Sequence, residues 1–184
     1  MLISILSGDS AGGNLIASLT LKTIENSIRK PDCLILSYAA LLLQFYPSPS
    51  RLLTLIDPLL MAAFMIKCLN AYKDPNYLKS LPRSLDKELE KGSSEHNIFI
   101  SPLLAEKNML RHFPKTLFVE TDMDACLDEN IKFSNNLIDA GVPVHMEVLQ
   151  GLPHGFLCFT SFSKDCKQGV QYVTKVMFDF IQNI

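Results

Sequence analysis

Leu2-Ile3-Ser4-Ile5-Leu6-Ser7-Gly8-Asp9-Ser10-Ala11-Gly12-Gly13-Asn14-Leu15-Ile16-Ala17 is the stretch from which the rest of the chain is read. Residues 2–7 are a short apolar, β-branched run, and residues from Gly13 onward carry helix-forming chemistry. Between them stands G-x-S-x-G, so the order is strand, Gly8-Asp9-Ser10-Ala11-Gly12, helix. That context is the one in which the motif forms a nucleophile elbow, a tight strand-to-helix turn with the serine hydroxyl at its tip. Glycines two before and two after Ser10 are expected to keep side chains out of the bend. A helix starting beside Ser10 would turn its free N–H groups toward an oxyanion, with the Ala11 N–H first among them. Asp9 is placed to support the serine by hydrogen bonding.

Downstream, the spacing predicts a helix carrying Leu15, Ile16, Leu19, Ile24 and Ile28 on its apolar face and ending before Pro31. Cys33 to Tyr38 is a continuous apolar run, as in a strand buried on both faces. Residues 41–60 are apolar but broken by Pro47, Pro49 and Pro58, which predicts loop with short helical pieces. Met61 to Tyr72 reads as a helix, and 73–97 as a polar insertion rich in Lys, Pro, Ser and Glu. Thr116 to Thr121 is a second buried strand, Leu127 to Ala140 a helix closed by Gly141, Pro143 to Leu149 a last strand, and Val170 to Ile181 a closing helix. Strands alternating with helices imply an α/β fold with a parallel sheet of about four strands flanked by helices.

Composition narrows the function classes. With 184 residues, 48% hydrophobic and 20% charged, the chain can bury a sizeable core. A net charge of −2 offers no electrostatic footprint for nucleic acid. Five scattered cysteines without C-x-x-C spacing, and four unclustered histidines, argue against a metal site and a disulfide framework. No run is long enough to cross a bilayer, and no basic leader precedes the first apolar segment. The expectation is a soluble, cytoplasmic chain whose membrane contact, if any, is peripheral.

A serine becomes a competent nucleophile when a histidine takes its proton and a carboxylate orients that histidine. Ser10 follows the first strand, Asp122, Asp124 and Asp128 follow the strand ending at Thr121, and His154 follows the strand ending near Leu149. That is the order Ser, acid, His, with each candidate beyond the C-terminal end of a different strand, where parallel sheets carry their sites. The three aspartates remain open on this reading, since any of them also suits a helix N-terminus. His96, His112 and His145 lie in a polar loop, beside Arg111 and within a strand, and are expected to be structural or solvated.

These residues fall into a recognisable set. Gly8 to Leu15 resembles the GDSAGG(N) elbow of the hormone-sensitive-lipase-like esterases. Tyr46-Pro47-Ser48-Pro49-Ser50-Arg51 through Leu60, Ser101-Pro102-Leu103-Leu104-Ala105, Asp124-Ala125-Cys126-Leu127-Asp128, Ala140-Gly141-Val142-Pro143-Val144 and Leu152-Pro153-His154-Gly155-Phe156 follow in that family's order. The resemblance implies an α/β-hydrolase fold. It also implies Ser10 as nucleophile, His154 as base and Asp124 as acid, because the family's acid stands four residues before a second aspartate, here Asp128. Ala125 replaces the family's usual proline, which keeps Asp122 as a rival. By resemblance the substrates are acylglycerols, cholesteryl esters or related lipid esters, no cofactor is required, and contact with a lipid droplet or membrane surface would be peripheral. Ser84, after Pro82-Arg83, is a phosphorylation candidate in the polar insertion. The family's early strands and HGGG-type oxyanion loop have no counterpart in these residues. The chain is therefore expected to be the C-terminal half of such a catalytic domain, with its first strand as an exposed edge. Two alternatives share these features: a small-ester carboxylesterase, and a non-catalytic hydrolase-like binding module.

Overall fold

The computed structural model describes residues 2–44, 47–57, 59–73 and 97–183. Four strands, β1 (Ile5–Asp9), β2 (Cys33–Ser37), β3 (Lys115–Met123) and β4 (Val144–Pro153), form one sheet in the order β1-β2-β3-β4. All three neighbouring pairs are parallel, with Ile5 opposite Cys33, Cys33 opposite Lys115, and Thr116 opposite Val144. The inner strand β2 is buried along its whole length, which explains its unbroken apolar sequence. β1 is an edge strand, pairing with β2 alone among the described residues, and Leu2 and Ile3 ahead of it are exposed.

Helices cover both faces. α1 (Ala11–Glu25), the short α3 (Lys107–Leu110) and α4 (Leu127–Asp139) lie on one side of the sheet, where Ala17, Leu21, Leu34, Leu36, Phe118, Phe133 and Leu137 close a core. α5 (Lys164–Gln182) covers the other, packing Cys166, Val173 and Phe180 against Cys33, Ile35, Leu117 and Val119. Side chains alternate along each strand, so adjacent residues of β2 and β3 feed different cores. A third cluster joins α2 (Ala62–Lys73), through Met65 and Leu69, to Leu43, Ala125 and Cys126. No helix among the described residues is long and apolar enough to cross a membrane.

The expected elements are present, with three informative differences. α1 ends at Glu25, and its buried face is Gly13, Asn14, Ala17, Ser18, Thr20 and Leu21; of the expected apolar residues Ile16 and Ile24 pack partly buried against that core, while Leu15, Leu19 and Ile28 are exposed. A helix seated this close to a sheet needs small residues at the contact, and that requirement overrides the apolar stripe. β4 runs on to Pro153 with a register irregularity opposite Thr121–Met123, carrying the chain directly to His154. α5 begins six residues earlier than its apolar pattern suggests, because the Ser163 side chain caps it by accepting from the Cys166 N–H at 3.2 Å. The polar insertion at 73–97, apart from its two end residues, lies outside the described residues, as do Ser84 and His96.

Candidate active site

The elbow is built by close backbone approach. Ser10 has φ 50° and ψ −118°, a left-handed conformation that a residue with a side chain adopts only under strain. It is held there by its N–H donating to the Ser37 carbonyl at 2.9 Å, while its own carbonyl accepts from Asn14 and Ala40. A Cβ on Gly8 would lie 2.5 Å from the Gly12 carbonyl oxygen, and one on Gly13 would lie 2.5 Å from Ala39 Cβ. Gly12 differs from the expectation: its Cβ would meet nothing nearer than Asp9 Oδ1 at 3.9 Å. The two glycines that permit the turn are therefore Gly8 and Gly13. The Ala11 N–H, in the first turn of α1, has no acceptor among the described residues and faces outward from the helix start.

Ser10 Oγ lies 2.9 Å from His154 Nε2, and His154 Nδ1 lies 2.7 Å from Asp124 Oδ2. The second oxygen of Asp124 accepts from the Cys126 N–H at 2.7 Å. Asp124 is fully buried and the His154 side chain only 13% exposed, so the relay is shielded from water on the Asp124 side, while Ser10 is half-buried. Each member stands just past β1, β3 or β4 at the C-terminal edge of the sheet. Burial disfavours the charged imidazole. The hydrogen bond and charge of Asp124, aided by the charges of Asp57 and Asp9, outweigh burial and hold His154 above its ordinary value.

The rival acids are occupied elsewhere. Asp122 is exposed and its carboxylate accepts from the Gly151 N–H at 2.7 Å, bracing β3 against β4. Asp128 accepts from the Ser50 N–H at 2.8 Å; burial works against its charge, but bonds from Ser50 and Ser48 keep it below the usual carboxylate value. Asp9 is exposed, with the Tyr38 hydroxyl 3.5 Å from its Oδ2. His145 pairs with Glu147 on the outer strand and His112 accepts from Arg111, both at the surface. Among the described residues the grouping with metal-ligand character is Asp124, Cys126 and His154. Its 2.7 Å Nδ1–Oδ2 separation is that of a hydrogen bond between His154 and Asp124.

Several supporting residues escaped the sequence reading. Ser50 Oγ donates to the Ala125 carbonyl at 3.0 Å and accepts from the Asp128 N–H, clipping the segment after Asp124 to the 3-10 turn Ser50–Leu55. Arg51 is buried against Glu129 of α4 and donates to the Leu42 carbonyl, while Glu129 accepts from the Leu41 N–H. The Ser48-Pro49-Ser50-Arg51 motif signalled this clip only through resemblance. Tyr38, edge-on to His154, gave no signal beyond being apolar, and Phe156, edge-on to Tyr38, stood out only through its place in the Leu152–Phe156 resemblance. The segment also leaves Leu52, Leu55, Ile56, Leu59, Met61 and Phe64 exposed.

A family model described as the alpha/beta hydrolase fold matches residues 4–158. The chain belongs to the alpha/beta hydrolase fold family. Human hormone-sensitive lipase is 48% identical over 67 residues, which is 36% of this chain and 6% of the lipase. Bovine neutral cholesterol ester hydrolase 1 is 25% identical over 209 residues, covering 90% of this chain and 51% of that protein. Among solved structures, a hormone-sensitive lipase from a metagenome library superposes with a TM-score of 0.77 at 21% identity, over 96% of this chain and 53% of that one. A hyperthermophilic esterase from the archaeon Pyrobaculum calidifontis gives 0.76 at 22% identity, over 96% and 51%. These structural likenesses establish the fold. The chain spans about half the length of these solved structures and of the cholesterol ester hydrolase, and much less of the lipase.

Proposed function

We propose that the chain is the triad-bearing part of a serine-dependent carboxylic ester hydrolase acting on lipid esters. The observation that carries the reading is the continuous relay from Ser10 Oγ through His154 to Asp124, at 2.9 and 2.7 Å. In this role His154 Nε2 takes the Ser10 proton as Oγ attacks the acyl carbonyl carbon. The oxyanion that forms faces the Ala11 N–H, and the positive start of α1 stabilises it. His154 then returns the proton to the departing alcohol, leaving an acyl-serine. Water, deprotonated by His154, releases the carboxylic acid and restores Ser10. Asp124 fixes the imidazole tautomer with Nδ1–H toward itself, so that Nε2 is free to accept. The chemistry calls for no cofactor.

Lipid esters are favoured over small soluble ones by the apolar side chains exposed between Leu52 and Phe64. This segment also carries Asp57, close enough to act on the His154 charge, so an acyl chain leaving the Ser10 site would meet hydrocarbon. The same surface suits peripheral contact with a lipid droplet or membrane in the cytoplasm. As about half of a hydrolase domain, the chain would share its oxyanion hole with donors from the remaining half. A fluorophosphonate probe tests the reading: labelling of the chain that disappears in both Ser10→Ala and His154→Ala supports it. A folded chain that stays unlabelled overturns autonomous catalysis. Turnover rising with acyl length across p-nitrophenyl esters supports the lipid class, and a preference for acetate overturns it.

A further inference from the structure

We propose that Tyr38 is the positioning residue of His154, the wall that keeps the imidazole aligned between Asp124 and Ser10; this rests on the hydrolase reading above. Tyr38 directly follows β2, the strand that contributes none of Ser10, Asp124 and His154. It is fully buried and held at φ 38°, a conformation unfavourable for a tyrosine. The backbone is kept there by its N–H, which donates to the Val119 carbonyl at 2.9 Å. The strain delivers the ring to one place. Its centroid is 4.9 Å from that of His154, the planes crossing at 62°, and 5.7 Å from that of Phe156, crossing at 68°.

His154 needs such a wall. Asp124 restrains one ring nitrogen, but an imidazole held at a single point can still swing about that bond, moving Nε2 away from Ser10. With Tyr38 edge-on to the ring and Phe156 packed behind Tyr38, that swing is blocked. The hydroxyl provides a second tie: it points to Asp9 Oδ2 at 3.5 Å, coupling the wall to the residue next to Ser10. Burial, followed by the charges of Asp9, Cys158 and Asp124, holds the phenol well above its ordinary value, so it serves as a donor throughout the working range. Tyr38 thus links the serine turn and the histidine loop, two segments 144 residues apart in the chain.

The test compares Tyr38→Leu, which removes the wall, with Tyr38→Phe, which keeps it and loses only the hydroxyl. Two readouts are taken on the whole chain: the His154 Nδ1 proton resonance with the His154 titration, and the saturation kinetics of fluorophosphonate labelling. Tyr38→Leu is expected to lose the protected Nδ1 resonance and to slow labelling at saturation about tenfold to a hundredfold, with half-saturation unchanged. Tyr38→Phe should retain the resonance and label within about threefold of the parent. Identical His154 spectra in the parent and Tyr38→Leu overturn the proposal. So does loss of the resonance in folded Tyr38→Phe, a result that remains decisive if Tyr38→Leu does not fold. A parent chain that shows the resonance yet never labels overturns autonomous catalysis, while the spectra still decide the role of Tyr38.

Discussion

Replacing each elbow glycine with alanine should separate the turn's steric needs from its motif. In Gly8→Ala the new methyl carbon would sit 2.5 and 2.6 Å from the Gly12 carbonyl oxygen and carbon and 2.9 Å from Gly13 N. All three are backbone atoms at the start of α1, so relief requires moving the helix away from β1. Overpacking of this kind costs about 1–3 kcal/mol, and a clash with three rigid atoms belongs at the upper end. Gly13→Ala meets Ala39 Cβ at 2.5 Å and Cα at 3.1 Å, a similar clash partly offset by alanine's better helix propensity. Gly12→Ala meets only Asp9 Oδ1 at 3.9 Å and sits inside α1, so it should gain up to about 1 kcal/mol. At about 2–4 °C per kcal/mol for a chain of this size, thermal unfolding followed by circular dichroism should fall by about 6–12 °C for Gly8→Ala. Gly13→Ala should fall by less, and Gly12→Ala should hold or rise. Equal losses at Gly8 and Gly12 would refute the close-approach argument.

Three further outcomes follow from the same geometry. Ser10→Gly removes a side chain from a strained backbone, so urea denaturation should show stability up by about 1 kcal/mol while fluorophosphonate labelling is abolished. In the proposed mechanism only neutral His154 accepts the Ser10 proton, and its raised pKa means the labelling rate declines as pH falls from a point above 6.5; Asp57→Asn, removing a nearby negative charge, should move that limb to lower pH. Glu120 is fully buried, and burial first, then the Asp124 and Glu129 charges, push its pKa well above 4.5 against a smaller opposing effect of the Tyr38 backbone N–H. Above pH 4.5 the folded chain therefore keeps a proton that the unfolded chain releases, so stability declines as pH rises, and denaturation midpoints across pH should show Glu120→Gln flattening that decline.

Features governed by near neighbours were legible from the residues alone. The turn at Ser10 needs only a strand, close-packed glycines and a helix in succession, all within about a dozen positions, so the motif announces itself. The alternation of buried strands with helices likewise specifies a parallel α/β sheet, because such strands must be covered on both faces. Once the sheet is parallel, the order Ser10, Asp124, His154 brings three distant segments to one edge. Contacts across the fold were not written locally. Asp122 and Asp124 are chemically identical and two positions apart; it took the end of β3 and the run of β4 to turn one toward Gly151 and bury the other against His154. The buried face of α1 followed the closeness of the sheet rather than the leucine pattern. Tyr38 owes its place to a φ imposed by the β2–β3 register, Arg51 and Glu129 to a 78-residue closure, and Glu120 to a packed interior. A local pattern encodes what the backbone can do within a few residues, whereas the environment of a buried or strained side chain is set by segments the chain meets only after it has folded.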